Sequence, residues 1–359
     1  MNTKKVTITD VAKEASLSIA TVSRVINNSD RVDMISRQKV LNAIEKVGYV
    51  VVAKRTERNL CALIVPSMEN PFFSSVVEGV LKRANEENQV MVVFSSNGSV
   101  EQEEQCLMQA AALKIQALLF CPLSDSSSDL LATLFTPMLP KVIIYRHTYA
   151  QGASHIYYNN VQGGYLATKY LLRGGHRNIA FFASFWQAPY PSVQTVLSWI
   201  SHVKRGSFSS VDRLQGYAKA LGEFDIPLDP SLVCTTGYHV ADGYGQAKQF
   251  ISTLRDFDAI LCCNDSVACG VLDALRKQNI QVPEQVSVIG YDDSFLSEIA
   301  RPELTTIHQD PLILGNRAFD QVLSLLGGKK PEDVVLEPSL TIRSSSQMRK
   351  VQKKGIPAI

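Results

Sequence analysis

The fold of the N-terminus is decided by three consecutive segments, TITDVAKEA (7–15), SIATVSRVIN (18–27) and VLNAIEKVGY (40–49). In each segment apolar residues recur every three or four positions, which is the spacing of one helix face. Thr7 stands three residues before Asp10 and predicts the start of the first helix, while Ser18 and Asp33 can cap the next two. Gly48 predicts the end of the third. The sequence therefore predicts three short helices that pack through their apolar faces.

The second helix carries small and polar side chains on the face opposite its apolar one. Two short helices joined by a tight turn form a helix-turn-helix, whose second helix enters the DNA major groove. That face would present Ile19, Ala20, Thr21, Ser23 and Arg24. Hydroxyls suit phosphate oxygens, an arginine suits a guanine edge, and small apolar groups suit a thymine methyl. On the pattern alone, a small helical bundle with an ordinary solvated face is the alternative.

The charge distribution favours a DNA-binding head. Residues 1–60 hold 11 Lys and Arg against 6 Asp and Glu, whereas the remaining residues hold 25 against 28. A basic head on a mildly acidic body indicates that the head meets a polyanion and that the body has another task.

The three segments closely resemble the headpiece of the lactose/galactose repressor family of bacterial transcription regulators, and the likeness is collinear from residue 7 to residue 49. The resemblance implies that Ile19 and Ala20 read bases and that Arg24 also reaches into the groove. It implies a backbone-holding role for the hydroxyl and amide side chains around them. The residues that we expect to contact DNA are Thr7, Ser18, Ile19, Ala20, Thr21, Ser23, Arg24, Asn27, Arg31, Lys54 and Arg55.

The linker departs from the family pattern. Family members usually follow the tyrosine with Pro-Asn and a hinge helix whose leucine wedges into the minor groove. Here Tyr49 is followed by VVVAKRTERNL (50–60), which has neither Pro-Asn nor an obvious counterpart of that leucine. The predicted domains are a headpiece at 1–50, a shortened linker at 51–59, a core at 60–346 and a basic, disordered tail at 347–359.

The body alternates short apolar runs with helical stretches. The predicted strands are 61–65, 90–94, 117–121, 142–145, 179–182, 259–263 and 286–289, and helices are predicted at 74–87, 101–113 and 266–278. This alternation is typical of an α/β fold with parallel sheets, which bind ligands at the carboxyl ends of their strands. No glycine-rich phosphate-binding motif follows any predicted strand, so a nucleotide cradle is not indicated.

Several turns of the body match the effector-binding core of the same family, which is similar to periplasmic sugar-binding proteins. The matching turns include VPSMENPFF (65–73), CNDSVACG (263–270) and GYDD (290–293). The resemblance implies two lobes with an effector in the cleft between them. Their expected extents are about 60–157 plus 293–328, and about 160–292 plus 329–346. The residues expected to contact the effector are Phe72, Phe73, Ser74, Tyr145, Arg146, Tyr158, Arg213, Asp265 and Asp292.

The chemistry of these residues suits a polar ring. A guanidinium and a carboxylate, as in Arg213 and Asp265, can each hold two neighbouring sugar hydroxyls, although a structural ion pair is the alternative. Aromatic rings can stack on the apolar side of a sugar or a base, or they can simply pack in the core. Tyr145-Arg146 stands where relatives often carry Asp-Arg, and Asn159-Asn160 where they carry Asp-Asn. The loss of two acidic acceptors predicts an effector more anionic than a neutral sugar.

A second departure from the family is an insertion. Thirty residues, 183–212, separate Phe182 from Arg213, and they include both tryptophans of the chain. Residues 192–202 can form an additional amphipathic helix. The insertion can cap the cleft, extend a dimer surface or be a tolerated surface loop. The last interpretation is favoured because loops absorb extra residues at little cost.

The leading interpretation is a ligand-controlled repressor that binds a palindromic DNA operator as a homodimer, with a tetramer as the larger alternative. A solute-binding protein would need an export signal and no DNA-reading head. An enzyme would need a catalytic constellation, yet the histidines are dispersed at positions 147, 155, 176, 202, 239 and 308. We therefore expect no catalysis, no cofactor and no metal site. Unclustered cysteines and an N-terminus without an apolar signal core favour a cytoplasmic protein.

Overall fold

The structure is a computed structural model that describes residues 6–26, 32–49, 60–123, 127–147, 150–202, 208–253 and 256–349. The chain divides into two compact units, Met1–Arg58 and Asn59–Ile359. None of the helices in these described ranges is long and apolar enough to cross a bilayer.

The first unit contains the three predicted helices: α1 (Ile8–Ala15), α2 (Ile19–Ile26) and α3 (Met34–Val47). Asp10 Oδ2 accepts a hydrogen bond of 2.8 Å from the backbone N–H of Thr7, which fixes the first turn of α1. Asp33 caps α3 by accepting from the backbone N–H of Ser36, and Gly48 ends α3 in the left-handed region at φ 68°. The fully buried side chains of this unit are valines, Val11, Val22 and Val40, one on each helix.

The second unit, the core, contains two sheets. Its strands are β1 (Leu60–Val65), β2 (Val90–Ser95), β3 (Ala117–Phe120), β4 (Lys141–Ile144), β5 (Ala153–Tyr158), β6 (Ile179–Ser184), β7 (Val233–Thr236), β8 (Ala259–Cys262), β9 (Ser287–Asp292), β10 (Thr305–His308), β11 (Asp333–Leu336) and β12 (Ser339–Thr341). The first sheet has the order β11-β5-β4-β3-β1-β2, and the second has the order β12-β10-β9-β8-β6-β7. All of the strand pairs are parallel except that of β10 with β12.

Helices cover both sheets. They are α4 (Pro71–Glu86), α5 (Val100–Ala112), α6 (Ser128–Leu134), α7 (Asn160–Arg173), α8 (Val193–His202), α9 (Ser209–Glu223), α10 (Val240–Ser252), α11 (Asp265–Lys277), α12 (Phe295–Ile299) and α13 (Pro311–Leu326). Each sheet with its helices forms a lobe, and we call the lobe of β1 the first lobe and that of β6 the second. The predicted α/β fold with two parallel-sheet lobes is confirmed.

The sheet order corrects the predicted lobe boundaries. Residues 293–328 were expected in the first lobe; α13 does pack in its core, but β10 pairs with β9 and therefore belongs to the second. Residues 329–346 were expected in the second lobe; β12 does pair with β10 there, but β11 pairs with β5 of the first. The chain thus passes between the lobes after β5, after β10 and after β11.

The end of the core also differs from the prediction. The tail was expected to begin at residue 347, but the backbone N–H of Arg349 donates to the Gly174 carbonyl at 2.7 Å. Arg349 Nη1 lies 3.1 Å from Asp258 Oδ2, so the core extends at least to residue 349. The predicted linker at 51–59 and the rest of the predicted tail lie outside the described residues.

Candidate DNA-reading face and inter-lobe cavity

Helix α2 exposes the residues that were predicted to meet DNA. Val22 and Val25 are buried against α1 and α3, whereas Ile19, Ala20 and Arg24 are exposed. Ile19 leaves 49% of its surface in solvent, which is unusual for an isoleucine in so small a unit. The apolar spacing of α2 therefore sets which side chains face outward.

The start of α2 is fixed by Ser18. Its hydroxyl accepts the backbone N–H of Thr21 at 3.0 Å and lies 2.9 Å from the Thr21 hydroxyl. Thr21 and Ser23 are half-buried on the helix flanks, and Thr7 is exposed at the start of α1. The predicted DNA contacts Asn27, Arg31, Lys54 and Arg55 lie outside the described residues.

The core contains a cavity of about 240 Å³ between the two lobes, which we call the inter-lobe cavity. It lies at the carboxyl ends of β3, β4 and β6, where ligands of parallel sheets are expected. Its lining residues are Val100, Leu123, Arg146, Ser184, Phe185, Trp186, Gln187, Pro189, Pro191, Trp199, Phe208, Ser209, Ser210 and Tyr238. The first three come from the first lobe, and all the others from the second.

Aromatic rings of the insertion form the wall of this cavity. Trp186 stacks on Tyr238 with ring centroids 4.3 Å apart, and its ring centroid lies 6.0 Å from that of Phe73 in the first lobe. Trp199, on α8, stacks on Phe208 at 5.0 Å. The predicted additional helix at 192–202 is present as α8. Among the three interpretations of the insertion, this arrangement supports the one in which it caps the cleft.

Arg146 supplies the positive charge of the cavity. It is 6% exposed, and its guanidinium carbon lies 4.7 Å from the centroid of the Phe208 ring. Its Nη1 donates to the carbonyl of Leu123, at the end of β3. Arg146 is the predicted effector residue that lines the cavity.

Tyr145 and Arg213 lie directly behind the wall. The Tyr145 hydroxyl is 3.1 Å from the hydroxyl of Ser209, which itself lines the cavity. Arg213 is 1% exposed; its Nε donates to Asn160 Oδ1 at 2.8 Å, and its Nη1 donates to the carbonyl of Cys263. The guanidinium of Arg213, which lies on α9, is thus already hydrogen-bonded by other groups of the protein.

The two predicted aspartates are also buried. Asp292 Oδ1 lies 3.9 Å from Arg213 Nη2, and burial raises the pKa of Asp292 well above its ordinary value. Asp265 accepts from the Ser294 backbone N–H at 2.7 Å and from the Thr306 hydroxyl at 2.7 Å. Burial raises the pKa of Asp265 to about 7. Asp265 therefore links α11 to β10 and to the segment after β9, and its described partners do not include Arg213.

The remaining predicted effector residues serve local packing. Phe72 and Phe73 are 2% exposed and pack on Tyr145 with centroids 5.4 and 5.0 Å away. The Ser74 hydroxyl donates to the Pro71 carbonyl at 3.1 Å, in the first turn of α4. The Tyr158 hydroxyl accepts the backbone N–H of Asp310 at 2.8 Å. In the described structure these four side chains lie outside the lining of the inter-lobe cavity.

Most residues that line the inter-lobe cavity were not predicted from the sequence. Ser209, Ser210 and Tyr238 carry no motif that marks them, whereas the density of aromatic residues and prolines in the insertion was a usable signal.

Comparison with protein families gives two matches. A family described as bacterial regulatory proteins, lacI family, matches residues 7–51. A periplasmic binding protein-like domain matches residues 168–346.

Full-length relatives are similar along nearly the whole chain. The HTH-type transcriptional regulator DegA of Bacillus subtilis (strain 168) is 30% identical, over 95% of this chain and 98% of the relative. The HTH-type transcriptional repressor PurR of Vibrio atlanticus (strain LGP32) is 30% identical, over 94% of this chain and 98% of the relative.

Solved structures of transcriptional regulators are also similar along nearly the whole chain. The lac repressor dimer bound to operator and the anti-inducer ONPF is 27% identical, with a TM-score of 0.73, and covers 96% of this chain and 100% of its own. The transcriptional regulator CelR in complex with cellobiose is 28% identical, with a TM-score of 0.69, over 95% of this chain and 100% of its own.

Proposed function

Because the chain belongs to the lacI family of bacterial regulatory proteins, it is a DNA-binding transcriptional regulator, and we propose that a small molecule in the inter-lobe cavity controls its affinity for an operator. The observation that carries the proposal is the composition of the cavity wall, to which both lobes contribute. A ligand that contacts both lobes stabilises one arrangement of the lobes relative to the others. This difference in ligand affinity between arrangements is what couples the cavity to the DNA-binding site.

Operator reading is assigned to α2. Ile19 and Ala20 supply apolar contacts for thymine methyl groups, and Arg24 supplies a bidentate contact to guanine. Ser18, Thr21 and Ser23 supply hydroxyls at the start and flanks of the helix, where phosphate contacts set its orientation. Thr7 would contact phosphate from the start of α1.

The effector is assigned to sugars and sugar derivatives, with preference for an anionic one. The Trp186–Tyr238 stack and the Trp199–Phe208 stack offer flat apolar surfaces that suit the apolar face of a sugar ring. Arg146 is the charged side chain of the lining and suits a phosphate or carboxylate group. A complex of cellobiose with the similar regulator CelR supports a carbohydrate ligand.

Arg213, Asp265 and Asp292 remain proposed effector residues only for an opened cleft. In the described structure each is at most 6% exposed. Tyr145 links Arg213 to the cavity, since its hydroxyl bonds both Ser209 on the wall and Arg213 behind it.

The proposed assembly is a homodimer that binds a palindromic operator and represses transcription. One headpiece reads only a few base pairs, so two related by a two-fold axis double the recognition site. The lac repressor, solved as a dimer on its operator, and the repressor PurR support this form. We further infer that the protein acts in the cytoplasm, because a bacterial chromosome and its operators lie there.

The chain carries its own reporter for the effector. Both tryptophans, Trp186 and Trp199, line the cavity, so intrinsic tryptophan fluorescence should change directly when a ligand binds. The experiment titrates neutral sugars and their phosphorylated counterparts against the full-length protein. The same ligands are then added to complexes of the protein with a duplex selected from a random pool.

We expect a saturable fluorescence change with at least one sugar phosphate and a parallel change in duplex affinity. Binding of neutral sugars alone would overturn the anionic assignment. A ligand that binds with no change in duplex affinity would overturn the coupling.

A further inference from the structure

Two histidines that are far apart in sequence meet one aspartate at the edge of the first sheet. His155 Nδ1 lies 2.7 Å from Asp333 Oδ1, and His147 Nε2 lies 3.0 Å from Asp333 Oδ2. The two imidazole rings stack with centroids 4.4 Å apart. These histidines look dispersed in the sequence, and the fold brings them together.

The order of the strands explains the meeting. β11 pairs in parallel with β5, and its register sets Asp333 directly opposite His155. His147 follows the end of β4, the other neighbour of β5. The two histidines thus belong to the part of the first lobe that precedes β6. Asp333 belongs to β11, which forms after the chain has returned from the second lobe.

The geometry suits a metal ion. One donor atom from each of the three residues lies within 4.8 Å of the other two. Bonds of about 2.0–2.2 Å to a tetrahedral zinc ion place neighbouring ligand atoms a little over 3 Å apart, which falls within the 4.8 Å found for these donor atoms. Two imidazoles and one carboxylate favour zinc, copper or nickel over magnesium or calcium, which prefer oxygen ligands.

Burial gives this cluster a protected side and an open side. The side chains of His147 and His155 are 16% and 9% exposed, whereas that of Asp333 is 47% exposed. An ion can therefore enter past the carboxylate and retain a water ligand there. Three protein ligands would leave the fourth position of a tetrahedral ion to that water.

Two other histidine–carboxylate pairs in the core are built differently. Asp293 contacts His308 but also Arg343, and Asp258 contacts His176 but also Arg349. An arginine beside the carboxylate neutralises it and disfavours a cation. In the described part of the chain, the ion pairs of Asp333 are with the two imidazoles alone.

We propose that His147, His155 and Asp333 form a binding site for one divalent transition-metal ion of the zinc type. The bound ion fastens β11 to β5 and to the segment after β4. It therefore adds a stabilising link inside the first lobe, apart from the inter-lobe cavity. The alternative is a His–Asp–His hydrogen-bonded cluster that binds no ion.

The test uses the full-length protein without an affinity tag, stripped with a chelator. Zn²⁺ binding is measured by titration calorimetry, and Co²⁺ binding by the visible absorption of the bound ion. The variants are His147→Gln and Asp333→Asn, with His308→Gln as the matched control, because it removes a histidine from a pair that includes an arginine. Thermal unfolding is followed with and without Zn²⁺.

We expect one equivalent of Zn²⁺ per chain, a Co²⁺ spectrum typical of nitrogen and oxygen ligands, and a higher unfolding temperature with Zn²⁺. Either cluster variant should weaken binding about tenfold or more, whereas His308→Gln should bind as the parent does. Absence of a saturable site, or equal affinity in the parent and both cluster variants, would refute the proposal and leave the hydrogen-bonded cluster.

Discussion

The hydroxyl of Tyr145, just after β4 in the first lobe, lies 3.3 Å from Arg213 Nη2 on α9 of the second lobe. The same hydroxyl contacts Ser209 of the cavity wall, so one side chain joins both lobes beside the inter-lobe cavity. The backbone of Tyr145 has φ 74°, a conformation that costs a non-glycine residue on the order of 1 kcal/mol. A strained residue that joins two lobes beside a cavity is well placed to respond to a ligand.

The first prediction concerns this hydroxyl. Tyr145→Phe keeps the ring packing on Phe72 and Phe73 but removes both inter-lobe hydrogen bonds. We expect a loss of about 1–2 kcal/mol in stability, because a buried hydrogen bond contributes on the order of 1 kcal/mol. We also expect an altered dependence of DNA affinity on the effector, measured by fluorescence anisotropy of a labelled duplex.

Tyr158→Phe is the matched control, since in the described structure the hydroxyl of Tyr158 bonds the backbone of Asp310. It should lower stability to a similar extent and leave the effector response intact. An unchanged effector response in Tyr145→Phe would mean that the inter-lobe hydrogen bonds carry no coupling.

The second prediction concerns base reading. Arg24→Ala should weaken binding to the selected duplex by about 1–3 kcal/mol and relax preference at one base pair. Arg24 is exposed on α2, so the change should not disturb the packing of the headpiece. Affinities for selected and scrambled duplexes are compared at several salt concentrations.

Lys39→Ala removes the same charge from the exposed surface of α3 and serves as the control. Its effect should be equal on selected and scrambled duplexes and should fade as salt rises. The same sequence-independent pattern in Arg24→Ala would contradict its role in base reading.

The headpiece could be predicted from sequence because its signals are local. The caps at Thr7, Ser18 and Asp33 and the apolar spacing of each helix depend on residues at most four positions apart. Seven strands were predicted for a similar reason, since each contains a continuous apolar run. β5, β7 and β10 were missed because serine, threonine or histidine interrupts their apolar residues, although β5 and β10 lie inside their sheets. β11 and β12 were missed because they are edge strands, half-exposed, and lack such a run.

The walls of the cavity were predicted less well than the headpiece, because they depend on contacts between segments that are distant in the sequence. Trp186 meets Tyr238 of the same lobe and Phe73 of the other, and no spacing rule connects these positions. The family resemblance placed Arg213 and Asp265 near the cleft, but their burial follows from tertiary packing. An added Cβ at Gly164 would lie 2.0 Å from the carbonyl oxygen of Arg213, so α7 and α9 pack too closely to leave that region open.

The third prediction concerns the cavity wall. Trp186→Ala removes the stack on Tyr238 and opens the wall, and it should weaken effector binding about tenfold, since stacked rings contribute on the order of 1 kcal/mol. Binding is read by calorimetry, because the substitution removes one of the two fluorescent reporters. Trp186→Phe keeps an aromatic ring and should retain most of the affinity. Equal affinity in the alanine variant and the parent would place the effector elsewhere.

The last prediction concerns pH and Asp265, whose carboxyl has a pKa raised to about 7 by burial, against an ordinary value of about 3.9. Between these values the folded protein holds a proton that the unfolded chain has released. Stability is therefore highest below pH 4 with respect to this group, and it falls as pH rises toward 7, by at most about 1.4 kcal/mol per pH unit. Asp265→Asn is neutral at every pH and should lose this slope.

The measurement is the free energy of unfolding of the parent relative to Asp265→Asn from pH 5 to pH 8. This difference should fall as the pH rises to about 7 and should level off above that value. The neighbouring Asp293 has a lowered pKa, so it titrates below the window. The pKa of Asp292 is raised by burial and in part by the charge of Asp265, so Asp292 adds to the same trend and does so less in Asp265→Asn. Asp273→Asn is the control, because Arg276 and Lys277 lower the pKa of that carboxyl. Its difference from the parent should stay flat over the same range. Parallel curves for the parent and Asp265→Asn would mean that Asp265 is ionised throughout, with its charge compensated by the donors of Ser294 and Thr306.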